Sequence, residues 1–402
     1  MTETLAVPIA LAGPALLSRS NLAQRDRLTA GFPMRPPGPG SLPLNGGVPA
    51  PEALPIAELS DAFRAALADP QASRTALQYS VPLGIPELRQ WIAHRELVDA
   101  DRVVVTNGAL HALSLTFGAL IDPGDVVIVE NPTFPIALRV LQYHNAHIRS
   151  VPVDADGLDV DALERALIQG VRPKAVYTIP DFHNPTGVTL SASRRGRLVQ
   201  LAERYGFVIV ADSPYQELRF TGEAPAGIAV ESDLVVRANT FSKTLGPGLR
   251  LGWAVLPTWL VPAVSQTRQN YDQHASLLTQ RAVTGLLETP GLFDRIAGTA
   301  AANYRARAET LIAALEAESN GLLRVPAVDG GIFLWAQVQD PSIDIIAVHR
   351  RALAGGTDFQ PGHHFDSSGA GLFTDHLRFG FTALPAEHLP EAAARVANAL
   401  LG

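Results

Sequence analysis

Two residues of this 402-residue chain are lysines, whose side-chain amine can act as a nucleophile, and one of them lies among residues that could bind a ligand. Of the 32 basic residues, only Lys174 and Lys243 are lysine, so arginine is used almost wherever a positive charge suffices. Lysine, unlike arginine, can lose its proton near neutral pH and attack a carbonyl carbon. Lys174 enters a predicted strand as an ordinary charge. We therefore predict that Lys243 is a reactive amine.

The segment around Lys243, NTFSKTLGPGLRLG at residues 239–252, also suits a phosphate group. Glycines let its backbone approach a ligand closely, and a guanidinium offers a fixed fork of donors. The donors are the side chains of Thr240, Ser242 and Arg250. The alternative is an ordinary basic loop.

A second segment that could bind a phosphate is VVVTNGALHALSL, residues 103–115, where an apolar run passes through Asn–Gly into a helical pattern. The first amides of a helix lack intrahelical partners and attract anions. The amides in question belong to Gly108, Ala109 and Leu110. A common strand-to-helix turn is the alternative interpretation.

Two charged residues stand in apolar strand patterns. Asp212 ends the run in VIVADSPYQELRF, residues 208–220, where it either serves a ligand or caps the next helix. Arg378 lies inside HLRFGF, residues 376–381, where an unpaired charge would be costly. A ligand carboxylate would resolve that cost, and an intramolecular ion pair is the alternative.

Short apolar runs that alternate with amphipathic helices must position these groups. Helical patterns cover Gly108–Leu120, Asp161–Gln169 and Ala192–Tyr205. Strands buried on both faces and separated by helices indicate a mainly parallel sheet. We predict an α/β fold whose large domain holds a mainly parallel seven-stranded sheet, with a smaller α+β domain. The seven predicted strands are 102–106, 125–129, 148–153, 175–179, 207–211, 234–238 and 251–255.

The same patterns divide the chain into three parts. Residues 1–50 are rich in Pro and Gly, include a short predicted helix at Pro14–Leu28, and form an arm expected to pack on the small domain and the active site. Residues 51–275 form the large domain, and residues 276–402 form the small one. The small domain is predicted to contain helices at Gly291–Ala317 and Pro385–Leu401, strands at Gly331–Val338 and His376–Phe381, and a loop at Gln360–Gly371.

Composition excludes several classes of protein. With 47% hydrophobic and 18% charged residues, the chain is typical of a globular protein. A net charge of -7 with no basic stripe argues against nucleic acid and against an anionic membrane surface. The absence of cysteine excludes disulfides and thiolate metal sites, and we predict no metal site. The apolar N-terminal stretch lacks the features of a signal peptide, so we expect a cytoplasmic protein.

Three segments together resemble a known family: the lysine loop, the strand end YTIPDFHNPTG at residues 177–187, and the segment at residues 208–220. In order and spacing, residues 42–402 resemble the class I/II, fold-type I aminotransferases, which depend on pyridoxal 5′-phosphate (PLP). The chain is most similar to the 2-aminoadipate-aminotransferase-like and MocR-type branch.

The resemblance implies roles for individual residues. Lys243 would hold PLP as a Schiff base, and Asp212 would pair with the pyridine nitrogen. Asn184 and Tyr215 would share the cofactor's phenolic oxygen, and the phosphate would lie on the residues singled out above. Phe134, in ENPTFP, would stack on the ring or otherwise belong to the core.

The substrate and the assembly are implied in the same way. Arg378 would clamp the substrate α-carboxylate, with Asn184 and Gly47 also binding substrate. Tyr79, in YSVPLGIPELR, resembles a tyrosine that reaches the phosphate of the neighbouring subunit. This implies a homodimer with shared active sites, whereas a packed interface tyrosine is the alternative.

Histidines depart from the pattern of that branch. The phosphate turn commonly reads SGSQQ but is NGALH here, so Ala109 supplies no hydroxyl and His111 replaces a glutamine. His183 also stands where glutamine is common, and either histidine could be a core, rim or catalytic residue. His363 and His364 either border the substrate entrance or, more simply, face solvent.

The predicted function is transfer of an amino group between an amino acid and a 2-oxo acid. The alternative is another PLP reaction in specialised metabolism: β-elimination or C–S bond cleavage, decarboxylation, or oxidative deamination. A third hypothesis is a MocR-like regulatory sensor. It would need a basic N-terminal winged-helix module, for which we expect the segment before the match to be too short and insufficiently basic.

Overall fold

The structure, a computed structural model, describes residues 38–402 except residues 69 and 230. The helix predicted at Pro14–Leu28 lies outside the described residues, as does most of the predicted arm. The strands are β1 Leu42–Pro43, β2 Val103–Thr106, β3 Val126–Asn131, β4 His147–Asp154, β5 Gly157–Leu158, β6 Ala175–Thr178, β7 Val208–Asp212, β8 Val235–Thr240, β9 Gly252–Val255, β10 Leu323–Arg324, β11 Phe333–Val338, β12 Thr357–Asp358, β13 Gln360–Pro361 and β14 His376–Gly380. The helices are α1 Ile56–Ala68, α2 Pro70–Ala76, α3 Pro86–Glu96, α4 Ala109–Leu120, α5 Pro135–Tyr143, α6 Val160–Ile168, α7 Ala192–Tyr205, α8 Val261–Tyr271, α9 Leu277–Leu287, α10 Leu292–Glu318, α11 Ile345–Ala354 and α12 Leu389–Leu401.

The predicted mainly parallel sheet is confirmed. All seven predicted strands join it, in the order β2-β9-β8-β7-β6-β3-β4-β5. The sheet has eight strands because the two-residue β5 folds back on β4. Strands β9 and β5 run antiparallel to their neighbours, and the others share one direction. Successive parallel strands therefore end at the same edge of the sheet.

Both faces of this sheet are covered, which explains the continuous apolar runs of its strands. Side chains of a strand alternate between faces, and in β7 Val208 and Val210 pack in one core cluster while Ile209 and Ala211 pack in the other. Each cluster also contains residues of the flanking helices. The α/β prediction rests on this alternation, and the structure bears it out.

The helices begin near their predicted starts. Gly108 is the N-cap of α4, and Asp159 caps α6 by accepting a hydrogen bond from the Ala162 amide at 2.8 Å. Ser191 occupies the N-cap of α7 but makes no capping hydrogen bond. Helix α12 begins at Leu389 rather than at Pro385, because residues 386–388 form a 3-10 turn before it.

The C-terminal part is α+β. Strands β10, β11, β14 and β13 form an antiparallel sheet in that order, and α10, α11 and α12 pack with it. Strand β13 and a 3-10 turn at 362–365 lie within the predicted loop Gln360–Gly371. Among the described residues, no helix is long and apolar enough to cross a membrane.

Helix α9 follows the predicted domain boundary but packs with the preceding domain. Its buried Gln280 side chain accepts a hydrogen bond from the Ile85 amide at 2.9 Å. Leu277 and Val283 belong to the same core cluster as Trp253. The division at residue 275 remains a prediction, and this packing favours a boundary after α9.

Candidate active site

Three parallel strands deliver polar residues to one edge of the large sheet. The carboxyl ends of such strands are where open α/β sheets bind ligands. Strand β7 ends in Asp212, β8 ends in Thr240 immediately before the turn that carries Lys243, and β6 leads into the turn that carries Asn184. The sequence prediction that these segments meet therefore has a simple topological cause.

Lys243 lies in a 3-10 turn, residues 241–243, directly after β8. The Thr240 side chain fixes the start of this turn by accepting a hydrogen bond from the Ser242 amide at 3.1 Å. The Lys243 Nζ atom donates to the Gly47 carbonyl at 2.6 Å. Burial and the charge of Arg378 lower the pKa of Lys243 to about 8, although Asp212 opposes the shift. About a tenth of the amine is therefore neutral at pH 7, far more than for an ordinary lysine.

Asp212 is 4% exposed, and its two carboxyl oxygens have different surroundings. Oδ2 accepts a hydrogen bond from the Tyr177 hydroxyl at 2.9 Å. Oδ1 is buried and has no hydrogen-bond partner within the described part of the chain. Burial raises the pKa of Asp212 to about 7, against the opposing effects of Tyr177 and Lys243. An acceptor left in this state suits a ligand that brings a cationic N–H group.

Tyr177 was missed by the sequence analysis, which treated it as part of an apolar strand. It is fully buried in β6, and burial together with Asp212 raises its pKa well above the ordinary value. Its hydroxyl therefore stays protonated and donates to Asp212. Tyr177 pairs with Val210, two residues before Asp212, so the two side chains lie on the same face of the sheet, and this spacing was the available signal.

Arg378, Asn184 and Tyr215 form a second polar group beside the lysine. Arg378 Nη1 donates to Asn184 Oδ1 at 3.0 Å, and Nη2 donates to the Asn45 carbonyl at 2.8 Å. Asn184 also hydrogen-bonds Tyr215, whose pKa is raised by burial and by Asp212. The Arg378 guanidinium carbon lies 4.0 Å from the centre of the Phe333 ring. Burial lowers the pKa of Arg378 to about 9.

The residues predicted to bind a phosphate lie together around Arg250, which is exposed. Arg250 Nη2 donates to the Asn107 carbonyl at 2.6 Å, beside the start of α4. Gly108 has φ +92°, and a Cβ there would lie 2.9 Å from Arg250 Nη2, so this turn has space only for glycine. The amides of Ala109 and Leu110 follow at the helix start. The hydroxyls of the buried Thr240 and Ser242 are 2.8 Å apart, and Thr240 also donates to the Leu251 carbonyl at 3.0 Å.

Phe134 and Tyr79 occupy different environments. Phe134 is half-buried at the N-cap of α5 and packs against the core. Tyr79 is 82% exposed, and its ring contacts His274 edge-on at 5.9 Å between centroids. Within the described part of the chain, the Tyr79 hydroxyl makes no hydrogen bond. A role for Tyr79 in the site of its own chain is not supported by these contacts.

The histidines are mostly structural. His183 is 1% exposed, with Nε2 3.2 Å from Glu130 Oε2 and Nδ1 2.9 Å from Thr186 Oγ1, so it lies in the core behind Asn184. His111 Nδ1 accepts a hydrogen bond from the Asn107 amide at 3.1 Å and so braces the phosphate turn. Glu130, which the sequence analysis did not single out, accepts from Thr178 Oγ1 at 2.5 Å.

The simpler interpretation of His363 and His364 as solvent-facing residues is wrong. Both are half-buried, with ring centroids 4.4 Å apart. His364 Nδ1 lies 3.2 Å from Gln360 Oε1, and burial lowers the pKa of His364 to about 4. The neighbouring Arg378 opposes protonation of His364 as well, so His364 lies near the carboxylate-binding candidate as a neutral ring. Burial also lowers the pKa of His363.

These residues fit PLP. The lone acceptor Asp212 Oδ1 matches a protonated pyridine nitrogen, and the amine of Lys243 matches an aldehyde. Hydroxyls, helix amides and Arg250 match a phosphate at the other end of the site. The three kinds of group lie at one sheet edge, as one ligand with these three features requires.

Comparison with known proteins agrees with this geometry. Residues 53–396 match the family described as Aminotransferase class I and II. The chain is 34% identical over 370 residues to the 2-aminoadipate transaminase of Thermus thermophilus, covering 90% of this chain and 91% of that protein. It is 33% identical over 369 residues to aromatic-amino-acid aminotransferase 1 of Thermococcus litoralis, covering 89% and 87%.

A solved structure extends the likeness to the whole fold. The alpha-aminoadipate aminotransferase of Thermus thermophilus, complexed with N-(5′-phosphopyridoxyl)-L-leucine, superposes with a TM-score of 0.85 at 30% identity. The match covers 97% of this chain and 96% of that one. With its fold, its PLP-compatible site and its sequence in agreement, the chain belongs to the class I and II aminotransferase family.

Proposed function

We propose that this protein transfers the amino group of an amino acid to a 2-oxo acid, with PLP held by Lys243. The observation that carries the proposal is the arrangement of Lys243, Asp212 and Arg378 around one site. A half-buried amine of lowered pKa, a buried carboxyl with an acceptor that has no partner among the described residues, and a buried guanidinium supply the three functions that such a transfer needs.

The chain's own residues then divide the work. When bound, PLP withdraws electrons from the α-carbon of an attached amino acid. Asp212, kept in place by the Tyr177 hydroxyl, would hold a proton on the pyridine nitrogen. The Lys243 amine, with its pKa near 8, would accept a proton from the substrate α-carbon and deliver it to the C4′ carbon of the cofactor.

Arg378 would bind the α-carboxylate. Its two terminal nitrogens already point at neutral oxygens, those of Asn184 and Asn45, which fix the plane of the fork. The same fork would serve the amino acid and the 2-oxo acid, since both carry this carboxylate. Asn184 and Tyr215 would hold the phenolic oxygen of the cofactor.

The first amino acids to test as substrates are those for which the relatives are named. The two relatives above are named for aromatic amino acids and for 2-aminoadipate. We include both classes as first substrates to test. The half-buried, neutral His364 near Arg378 favours uncharged side chains over a second carboxylate.

We infer further that two copies assemble, with Tyr79 completing the phosphate end of the neighbouring copy. Tyr79 is exposed beside other exposed apolar residues, Leu77 at 69% and Val81 at 54%. Such a patch is typical of an interaction site. Residence in the cytoplasm, predicted from the sequence, is also part of this proposal and is checked by cell fractionation.

The test is a spectral screen of the PLP-loaded protein against amino acids, followed by addition of 2-oxo acids. We expect an amino acid to change the visible absorbance and a 2-oxo acid to restore it, with a new amino acid formed. Ammonia, carbon dioxide or an eliminated leaving group without any oxo-acid acceptor would indicate another PLP reaction. Binding without turnover of any amino acid would favour a regulatory sensor.

A further inference from the structure

A short segment before the large domain lies across the candidate site. We call residues 42–48 the strap. The Leu42 amide donates to the Gly356 carbonyl at 2.8 Å, and the Leu44 amide donates to the Asp358 carbonyl at 2.7 Å. The Gly380 amide donates to the Leu44 carbonyl at 2.6 Å. Backbone bonds thus join the strap to β12 and β14.

The strap supplies acceptors to both functional cations of the site. The Asn45 carbonyl accepts from Arg378 Nη2 at 2.8 Å, and the Gly47 carbonyl accepts from Lys243 Nζ at 2.6 Å. These carbonyls are two residues apart. The position of the strap therefore determines how the guanidinium of Arg378 is turned.

Close packing makes that position exact. A Cβ on Gly47 would lie 2.7 Å from the Phe333 ring, and the Gly46 carbonyl occupies the place of a Cβ on Gly380. Within the strap, LPLNGGV, Asn45 has the one polar side chain. The hydroxyls of Thr357 and Thr382 hydrogen-bond the carbonyls of Leu42 and Val48, whereas Asn45 is the strap residue whose own side chain can be held by a partner.

Asp358 is that partner. Asn45 Nδ2 donates to Asp358 Oδ2 at 2.5 Å, and the other carboxyl oxygen, Oδ1, lies 2.7 Å from His349 Nε2. The side chain of Asn45 is held by Asp358 while its carbonyl accepts from Arg378. A continuous series of contacts therefore runs from His349 through Asp358 and Asn45 to the guanidinium.

We propose that Asp358 is a positioning residue for Arg378, acting through the side chain of Asn45 to fix the fork that receives the α-carboxylate. This rests on the proposed function, in which Arg378 binds that carboxylate. Asn184 fixes Nη1 of the fork from the large domain, and the anchored strap fixes Nη2. Neither acceptor is charged, so both orient the guanidinium without neutralising it.

The first measurement compares Asp358→Ala, Asp358→Asn and Asn45→Ala in the PLP-loaded enzyme. We expect Asp358→Ala and Asn45→Ala each to raise KM for amino acid and 2-oxo acid alike, by about 5- to 10-fold, with kcat changed by less than about 2-fold. Asp358→Asn should lose less, because its amide oxygen can still accept from Asn45. The double alanine variant should be no worse than either single variant, because both break one link.

A second readout does not depend on turnover. Binding of the unreactive 3-phenylpropanoate to cofactor-free and loaded protein, measured by calorimetry, should weaken by a similar factor in the alanine variants. Asp375→Asn is the matched control, since Asp375 pairs with His376 at 2.6 Å in the same part of the fold but does not contact Asn45. It should leave KM and carboxylate binding unchanged.

Thermal unfolding shows which variants are folded. If Asp358→Ala is not folded, the separate variants Asn45→Ala and Asp358→Asn still test the proposal. Unchanged KM in folded Asp358 and Asn45 variants, additive effects in the double variant, or an equal loss in Asp375→Asn would overturn the positioning role. Arg378→Lys separates the two proposals. If it leaves carboxylate binding intact, the proposed function of Arg378 fails; if it alone weakens binding, only the role of Asp358 fails.

Discussion

The two ends of the candidate site are built differently. At the closed end, Asp212, Lys243 and Arg378 are held by partners within one chain: Tyr177, the Gly47 carbonyl and Asn184. At the open end, Arg250 is exposed beside the start of α4, and Tyr79 is 82% exposed. The closed end controls protonation through burial, whereas the open end offers Arg250 as a solvated donor. We therefore expect substitutions at the closed end to change chemistry and those at the open end to change affinity.

Lys243→Ala should have the largest effect. Removing the amine deletes the group that bonds the cofactor and the group that moves the proton, so we expect turnover to fall by at least about 10³-fold. Stopped-flow and steady-state assays of the PLP-loaded variant measure this. Lys174→Ala is the control and should keep its activity, because Lys174 is an exposed residue at the start of β6. Comparable losses in both variants would remove Lys243 from the site.

Asp212→Asn should follow, with a loss of about 10²- to 10³-fold in kcat and little change in cofactor affinity. An amide can still accept from Tyr177 but cannot stabilise a positive charge on the pyridine nitrogen. Rates of α-hydrogen exchange with solvent isolate the affected step. Near-normal exchange would make Asp212 a structural residue.

Asp212→Asn should lower activity but raise the stability of the cofactor-free protein. Burial raises the pKa of Asp212 from 3.8 to about 7. Its favourable contribution is therefore full below pH 4 and lost as pH rises through 7. Asp212→Asn removes a buried charge above pH 7, and we expect a gain of up to about 4 kcal/mol in the free energy of unfolding at pH 8, vanishing below pH 4.

Urea unfolding across that pH range measures the difference. Asp154→Asn is the contrasting control, because the Arg194 hydrogen bond lowers the pKa of Asp154. That variant should lose stability at neutral pH rather than gain it. A stability gain in Asp212→Asn that does not depend on pH would contradict the assignment of a buried, titrating carboxyl.

The pH dependence of covalent capture should reveal the lowered pKa of Lys243. Only the neutral amine attacks an aldehyde, so a pKa of about 8 predicts that the rate of PLP capture rises about 50-fold from pH 6 to pH 8 and levels off above about pH 9. This rate is measured by quenching samples with a reductant and recording the mass of the intact protein by mass spectrometry. A rate that keeps rising to pH 10 would indicate an ordinary lysine.

Tyr79→Phe should have the smallest effect. Loss of one hydroxyl contact at the open end should weaken PLP binding by about 2- to 10-fold and leave kcat close to normal. Equilibrium titration with PLP measures the affinity, and sedimentation velocity at the same concentration reports the assembly. A fully active monomer would rule out the contribution of Tyr79 to a neighbouring copy.

The elements and the closed-end groups were largely predictable because they are local in sequence. Apolar runs predicted the seven strands, and a parallel sheet then required Asp212 and Lys243 to meet at the same edge. Lys243 was identified by composition, since lysine is rare in this chain. These inferences use periodicity, composition and the rule that strands of one direction end together.

Contacts between distant, unremarkable residues were not predictable. Asn45 and Asp358 are 313 positions apart and lie in segments whose patterns indicate loops and short strands. Tyr177 looked like one more apolar strand residue until the structure showed its hydroxyl donating a hydrogen bond to Asp212. His364 was expected at the surface because loop composition does not reveal that β13 and a 3-10 turn would half-bury it.

The scarcity of lysine also makes the protein its own mass-spectrometric reporter. An endoprotease that cuts after lysine should divide the chain into three pieces, since it contains two lysines, one exposed at Lys174 and one half-buried at Lys243. A cofactor fixed to Lys243 by reduction would block the second cut and leave residues 175–402 as one fragment. The fraction of active sites carrying the cofactor could then be counted from the ratio of two fragments.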